Sequence, residues 1–331
     1  MFNLITIGDI VIDTHIQIDN ASLECSIKQK PCQLCLEYAS KIPIKNSFQS
    51  LGGNAANVAV GAKKLGMETA IISAVGNDSN GHLAIEELNK HKINTELINI
   101  EKGNATRYSV ILNFQGERTI LSYHGKRQYV WPKKITPPAW IYYTGLSQGS
   151  DKLQKQLLDC LAKHPTINTA YNPGSFQLKN EMDKVKEMIQ YADILIVNLE
   201  EAQTILKTTL KKEKTIRSIV RELINLGTKG NEVVITDSQN GAYVGDLDEV
   251  WHMNTFPVEV ISKTGAGDAF SAGYIAARHH GYNKPQSLIW GIANSCGVIS
   301  KPGAQNGLLD QRQIQKMIDR YSNVKPGLVG G

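Results

Sequence analysis

The sequence predicts an α/β protein: a doubly wound, mostly parallel sheet carrying a small β-strand lid. Three observations predict it. Short β-branched runs alternate with longer segments of helical period, the rhythm of strands joined by crossover helices. Runs such as Ile194-Leu195-Ile196-Val197 are apolar without alternation, as suits strands covered on both faces. Two stretches, residues 16–51 and 107–123, interrupt the rhythm with no long helix in the first and a hairpin pattern in the second.

The strands expected for the sheet are Asn3–Ile7, Thr69–Val75, Trp140–Thr144, Ile167–Tyr171, Ile194–Val197 and Glu232–Thr236. Helices are expected over Ala55–Leu65, Gly81–Lys90, Lys152–Lys163, Met182–Tyr191 and Thr215–Leu226. In the last of these, Ile216, Ile219, Val220, Leu223 and Ile224 recur at helical spacing and make one face apolar. Within the second irregular stretch, Arg107–Asn113 and Arg118–Tyr123 flank a Gln115-Gly116 turn, with Tyr108, Val110, Leu112 and Phe114 on one face. Strand-forming insertions that leave a parallel sheet near its strand ends would cover the place where such sheets bind ligands. The glycine-bearing tail Lys325–Gly331 is expected to fray.

Composition excludes several classes. Of 331 residues, 41% are hydrophobic and 20% charged, which suits a folded globular chain rather than a disordered or fibrous one. Lys and Arg total 36 against 31 Asp and Glu, a net charge of +5 with the signs interspersed, so no nucleic-acid partner is expected. The densest basic stretch, Lys207–Arg217, reads as a solvated linker and helix start. No apolar run approaches the roughly 18–20 residues that cross a bilayer, and Asp9 and Asp13 interrupt an amino terminus without the basic start of a signal peptide. Five cysteines do not suggest a disulfide framework, and a cytoplasmic location with reduced thiols is expected.

The most informative segment is Ser262-Lys263-Thr264-Gly265-Ala266-Gly267-Asp268, followed by a helix pattern in Ala272, Ile275 and Ala276. Small residues before a helix let backbone N–H groups converge on an anion, and Asp268 on the first turn could take a proton from a hydroxyl. The same residues would also make an ordinary capped turn. Gly52-Gly53-Asn54-Ala55-Ala56-Asn57 permits close approach of a ligand at a helix start, or simply close packing. Asn198 and Glu201, after a buried strand, suit Mg²⁺ with its retained waters, or equally a helix cap with acidic first-turn residues.

Together, in order and spacing, these segments resemble the ribokinase/phosphofructokinase-B family of carbohydrate kinases. The likeness runs nearly end to end: Gly8-Asp9 and Asp13, Gly53–Asn57 with Gly66 and Gly76, Asn198 to Glu201, Thr236 to Gly241, Gly265–Asp268, and Gly303-Ala304. The resemblance implies one ribokinase-like α/β domain over 1–331, with residues 16–51 and 107–125 inserted as the lid. It implies ATP-dependent phosphorylation of a hydroxyl on a small sugar, with Asp268 as general base and the amides of Gly265, Ala266 and Gly267 as anion hole. Asp13, Gly53 and Asn57 match positions that hold sugar hydroxyls. Asn198 and Glu201 would organise Mg²⁺, and Thr236, Ser238, Gly241 and Asn294 fall where the nucleotide binds. A nucleoside kinase, or a catalytically silent member acting as a binding or scaffold protein, is the alternative.

Three features depart from the family pattern. Ser262-Lys263 replaces an Asp-Thr pair whose Asp helps bind a monovalent cation, so the Lys263 ammonium either stands in for that ion or points to solvent. Ser238 stands where glycine is common. The long first lid segment carries Cys25, Cys32 and Cys35; reduced thiols are expected, with zinc on Cys32, Cys35 and His15 or His124 as the alternative. For the acceptor, Arg107, Lys126 and Arg127 could meet a phosphate or carboxylate, or face solvent. Tyr108, Phe114 and Tyr123 could stack on a base, or be the packed face of the hairpin. Free lid edges could pair two copies into a homodimer.

Overall fold

The fold was obtained as a computed structural model and is described for residues 1–26, 29–115, 117–123, 125–208 and 215–330. Gly116, His124 and residues 209–214 of the basic stretch lie outside the described residues.

The chain begins with strand β1 (Leu4–Ile7) and then leaves the main sheet through β2 (Val11–Gln17), β3 (Ser22–Ser26), β4 (Gln29–Cys35) and β5 (Asn46–Gly52). Helix α1 (Asn54–Lys64) returns it to β6 (Thr69–Gly76), followed by α2 (Ser79–Lys90) and β7 (Ile98–Glu101). A hairpin of β8 (Tyr108–Phe114) and β9 (Glu117–Tyr123) precedes β10 (Trp140–Tyr143) and α3 (Asp151–Lys163). Then come β11 (Asn168–Tyr171), α4 (Ser175–Asn180), α5 (Met182–Ile189), β12 (Ile194–Asn198), α6 (Leu199–Leu206), α7 (Ile216–Ile224) and β13 (Glu232–Thr236). The last part holds β14 (Ala242–Gly245), β15 (Val250–Met253), α8 (Ala266–His279), α9 (Lys284–Ile299), α10 (Gln311–Arg320) and β16 (Gly327–Leu328).

Ten strands form the main sheet in the order β16-β15-β14-β13-β12-β11-β10-β1-β6-β7, parallel from β13 to β7 and antiparallel from β13 to β16. The continuous apolar runs are explained by cover on both faces. Ile5, Tyr143, Leu195 and Ile235 pack under α3, α5 and α7, while their alternates Leu4, Tyr142, Ile196 and Val234 pack under α1, α8 and α9. β1 sits inside the sheet with later strands on either side, so the strand order reverses beside it. A crevice opens there at the carboxyl ends of the strands.

A second sheet, in the order β5-β2-β8-β9, stands at that end. Its strand β2 starts at Val11, ahead of the stretch 16–51 in which the sequence shows the irregularity. Along β8 the buried residues are Ser109, Ile111 and Phe114, while Tyr108, Val110 and Leu112 are half-buried. The apolar row expected from alternation is thus not the more buried face. Within the described part of the tail, Gly327 and Leu328 pair with His252 and Trp251 as the tenth strand of the sheet, where fraying was expected. β3 and β4 form a separate hairpin, in which Cys25 and Cys32 are joined as a disulfide. That corrects the expectation of reduced thiols there, and it removes Cys32 as a zinc ligand. Cys35 is a free thiol, and His15, the described histidine candidate, is stacked on Phe48 at 4.5 Å and bonded to Ser50. No cluster of three metal-ligating side chains occurs among the described residues. No described helix is long and apolar enough to cross a membrane.

Candidate active site

Parallel strands deliver their carboxyl-terminal residues to one edge, and here that edge carries Asp9, Thr144, Asn172, Asn198 and Thr236. Behind them α8 begins at Gly265, which takes the left-handed conformation (φ 77°) in which an L side chain is strained. A side chain there would also meet Ala304 at 2.6 Å. The first-turn amides of a helix have no partner within it, so those of Ala266 and Gly267 are free to bind an anion at its positive end. Both residues line a cavity of about 180 Å³ shared with Asp268, Glu201, Asn172 and Lys263.

Asp268 lies on the first turn of α8, and its Oδ2 accepts from Asn57 Nδ2 at 2.8 Å. Burial pushes its carboxyl up to about 6; the Asn57 hydrogen bond opposes the rise and nearby Asp13 adds to it. Gln305 Nε2 donates to Asn57 Oδ1 at 2.8 Å, which leaves the amide nitrogen of Asn57 turned towards Asp268. Gln305 is a site residue that sequence reasoning missed. Its signal was position alone, just after Gly303-Ala304.

Asp13 stands on β2 in register with Ser50 on one side and Ser109 on the other, and Ser109 is in register with Ser122. These side chains share one face, a row of hydroxyls beside a carboxylate. Burial raises the Asp13 carboxyl, with Ser109, Arg107 and Arg118 partly offsetting it. Gly53 caps α1 at φ 94°, against the carbonyl of Asp9.

Arg107, whose charge acts on Asp13, is half-buried and anchored from beneath. Asp9, only 3% exposed, accepts from Arg107 Nη1 at 2.6 Å, from Ser147 Oγ at 2.6 Å and from the Tyr129 hydroxyl. Arg107 is therefore tied into the base of the lid by the buried carboxylate at the end of β1. Arg127 faces neither substrate nor solvent: it is 2% exposed and pairs with buried Glu101. Of the three lid cations, Lys126 alone is exposed.

Asn198 and Glu201 form a capping box on α6: Glu201 N–H donates to Asn198 Oδ1 at 2.8 Å, and Asn198 N–H to Glu201 Oε2 at 2.9 Å. The cap reading is realised in full. Burial nevertheless pushes the Glu201 carboxyl up to about 7, with Asp268 and Glu200 adding to the rise and bonds from Asn198 and Asn172 opposing it. Two carboxylates lining one small cavity, Glu201 and Asp268, form a donor set that fits Mg²⁺, which keeps most of its waters. Asn172 was missed, although its signal was the one that selected Asn198, a polar residue closing a buried strand.

Beside this cavity a larger cleft of about 670 Å³ runs between the loop after β13 and the α9 face, with Thr236, Ser238 and Gly241 on one wall and Val260, Ile292 and Cys296 on the other. Ser238 takes a positive φ of 50°. Gly241 has φ 87°, and a side chain there would strike the Met253 carbonyl. Lys263 lines both the cleft and the small cavity, so it does not simply face away from the site. Asn294 is a correction. It is fully buried, with its amide donating to the Ala269 carbonyl at 2.8 Å and accepting from Leu309 N–H at 2.9 Å, so it locks α8 to α9 and to the segment before α10. Its neighbours Ser295 and Cys296 reach the cleft instead.

Known proteins resemble the chain over nearly its whole length. An ATP-dependent 6-phosphofructokinase of Thermoanaerobacterium thermosaccharolyticum is 23% identical, covering 96% of this chain and 94% of its own. A 5-dehydro-2-deoxygluconokinase of Lacticaseibacillus casei is 25% identical, covering 96% of each. A putative ribokinase II of E. coli, solved with ATP and Mg²⁺, superposes with a TM-score of 0.76 at 19% identity, over 97% of this chain and all of its own. Residues 22–312 match the family described as pfkB family carbohydrate kinase, and with the ribokinase-like fold this places the chain in that family of carbohydrate kinases.

Proposed function

We propose that the chain transfers the γ-phosphoryl group of ATP to a hydroxyl of a small sugar or sugar derivative. The observation that carries this is Asp268, held at 2.8 Å by Asn57 in the cavity lined by Ala266, Gly267 and Glu201. A carboxylate raised to about 6 is ionised at neutral pH yet basic enough to accept the proton of the attacking hydroxyl. The amides of Gly265, Ala266 and Gly267 bind the transferred group, whose charge spreads over its oxygens as the bond to the nucleotide loosens. Asp13 and Asn57 hold acceptor hydroxyls, with Gly53 giving the acceptor close access to the backbone. Mg²⁺, when bound with the nucleotide, neutralises phosphate charge. Glu201 would hold it through its waters, and Asn198 fixes Glu201 in place. Thr236, Ser238 and Gly241 line the nucleotide cleft, whose apolar far wall suits a flat base.

Asp268→Asn is expected to keep the fold and lower turnover by about 10²–10⁴. Wild-type turnover by that variant would remove Asp268 from its role. The acceptor would be identified by thermal shift with a nonhydrolysable ATP analogue and Mg²⁺, since stabilisation grows with occupancy. D-ribose, fructose 6-phosphate and 5-dehydro-2-deoxygluconate are the first candidates. Lys263, at the junction of the two cavities, supplies the positive charge that a monovalent cation would otherwise bring. Activity should then be the same with and without K⁺, and strong activation by K⁺ would refute this.

A further inference from the structure

The lid touches the anion loop through a side chain that has no place in the site so far. Strand pairing and the two-residue period put Asp13 and His15 of β2, Ser109 and Ile111 of β8, and Ser122, Ile120 and Arg118 of β9 on one face of the lid sheet. β9 is exposed along its whole length. Exposed as it is, Arg118 has a distant partner: its Nη1 donates to Thr264 Oγ1, across 146 residues of sequence. Among the described residues no other hydrogen bond joins the β8–β9 hairpin to residues 262–268. The positive charge of Arg118 also acts on Asp13 and His15, which share its face of the sheet.

Thr264 has little else to hold it. Its N–H donates to Ser262 Oγ at 3.3 Å, a bond within its own turn. The next residue is Gly265, where the left-handed turn sets the direction of the amides that follow. Any rotation at Thr264 therefore moves the anion site. A misplacement of this kind costs rate without costing binding of the nucleotide, which is held mainly by the cleft beyond.

We propose that Arg118 is a positioning residue: by gripping Thr264 from the lid sheet, already in the unliganded chain, it sets the direction of the Gly265–Gly267 amides for transfer. The proposal rests on the reading of Gly265–Asp268 as the place of transfer.

The test is a double-mutant cycle on Arg118→Ala and Thr264→Val, the second removing the acceptor oxygen at nearly constant shape. Amide hydrogen exchange of residues 262–268 in the unliganded chain should quicken to the same degree in both variants and no further in the double variant, with melting temperatures unchanged. With MgATP and whichever of D-ribose, fructose 6-phosphate and 5-dehydro-2-deoxygluconate is phosphorylated fastest, each single variant should lose about tenfold in kcat at unchanged KM for ATP. The double variant should lose no more than the worse single one, and Thr264→Ser should restore activity. Unchanged exchange in Arg118→Ala, or losses that multiply in the double variant, would overturn the proposal. The exchange measurement needs no acceptor and decides alone. Full turnover by Asp268→Asn would instead sink the placement of transfer, whatever Arg118 does.

Discussion

Gln305, Asn57 and Asp268 form a relay of orientation rather than of protons. Gln305 fixes which end of the Asn57 amide faces Asp268, and Asn57 fixes one carboxylate oxygen of Asp268. Glu201 lies across the same cavity and carries the clearest pH signature. Its carboxyl is raised from 4.5 to about 7, first by burial, so between these values the folded chain binds a proton that the unfolded chain releases. The sign follows: stability falls as pH rises through this window, and the penalty is complete above about 7. Gln preserves the capping box, because an amide oxygen accepts from the Asn198 N–H as well as a carboxylate does. Without ligand, Glu201→Gln should therefore melt above the unmodified protein at pH 8, with the difference gone by about pH 4.5. Equal melting at pH 8 would disprove it. With MgATP the same variant should be the slower enzyme.

At the scale of elements, α8 is held by small residues that let its neighbours come close. A Cβ on Gly61 of α1 would meet Ala272 at 2.7 Å, and one on Gly273 would meet the Trp290 carbonyl at 2.6 Å. Gly273→Ala has a helix propensity gain of at most about 1 kcal/mol, against overpacking that costs about 1–3 kcal/mol and moves α9. Overpacking wins, because the obstacle is backbone and cannot rotate away. Urea unfolding should show a net loss of up to about 2 kcal/mol, and a more stable variant would contradict the packing argument. Five helices and six strands of the main sheet were legible, since period is local. Helices α9 and α10 were not named, although Asn283 and Asp310 cap them as Asp78 and Asn198 cap α2 and α6. The facing of β8 was not legible, because Ser109 is buried by its partner Asp13 rather than by its own polarity.

For the whole molecule, the second sheet ends in β9, an edge strand with Leu121 and Tyr123 half exposed or more on its outer face. An exposed apolar edge is a template for pairing, and a second copy of the chain, bringing the same edge, would cover it with a two-fold contact. Sedimentation should then show a dimer that Leu121→Lys converts to monomer, while a monomer at micromolar concentration in the unmodified protein would end this reading. Because the lid reaches the site through Arg118, the dimer contact and the catalytic centre would share one small sheet.

Hydrophobic period, caps and the order of glycine and acid motifs are properties of neighbouring residues, and from them the sequence by itself determined the parallel sheet, the helix that starts at Gly265 and the kinase family. Only the tertiary structure decided what distant charges do. Arg107 and Arg127 read as substrate-facing or solvent-facing cations; the fold buries Arg127 against Glu101 and anchors the half-buried Arg107 on Asp9. Asn294 read as a nucleotide contact and became a buried tie between α8 and the segment before α10. The reason is physical. A charge or amide has no period, and its role is set by whichever partner long-range packing places within about 3 Å.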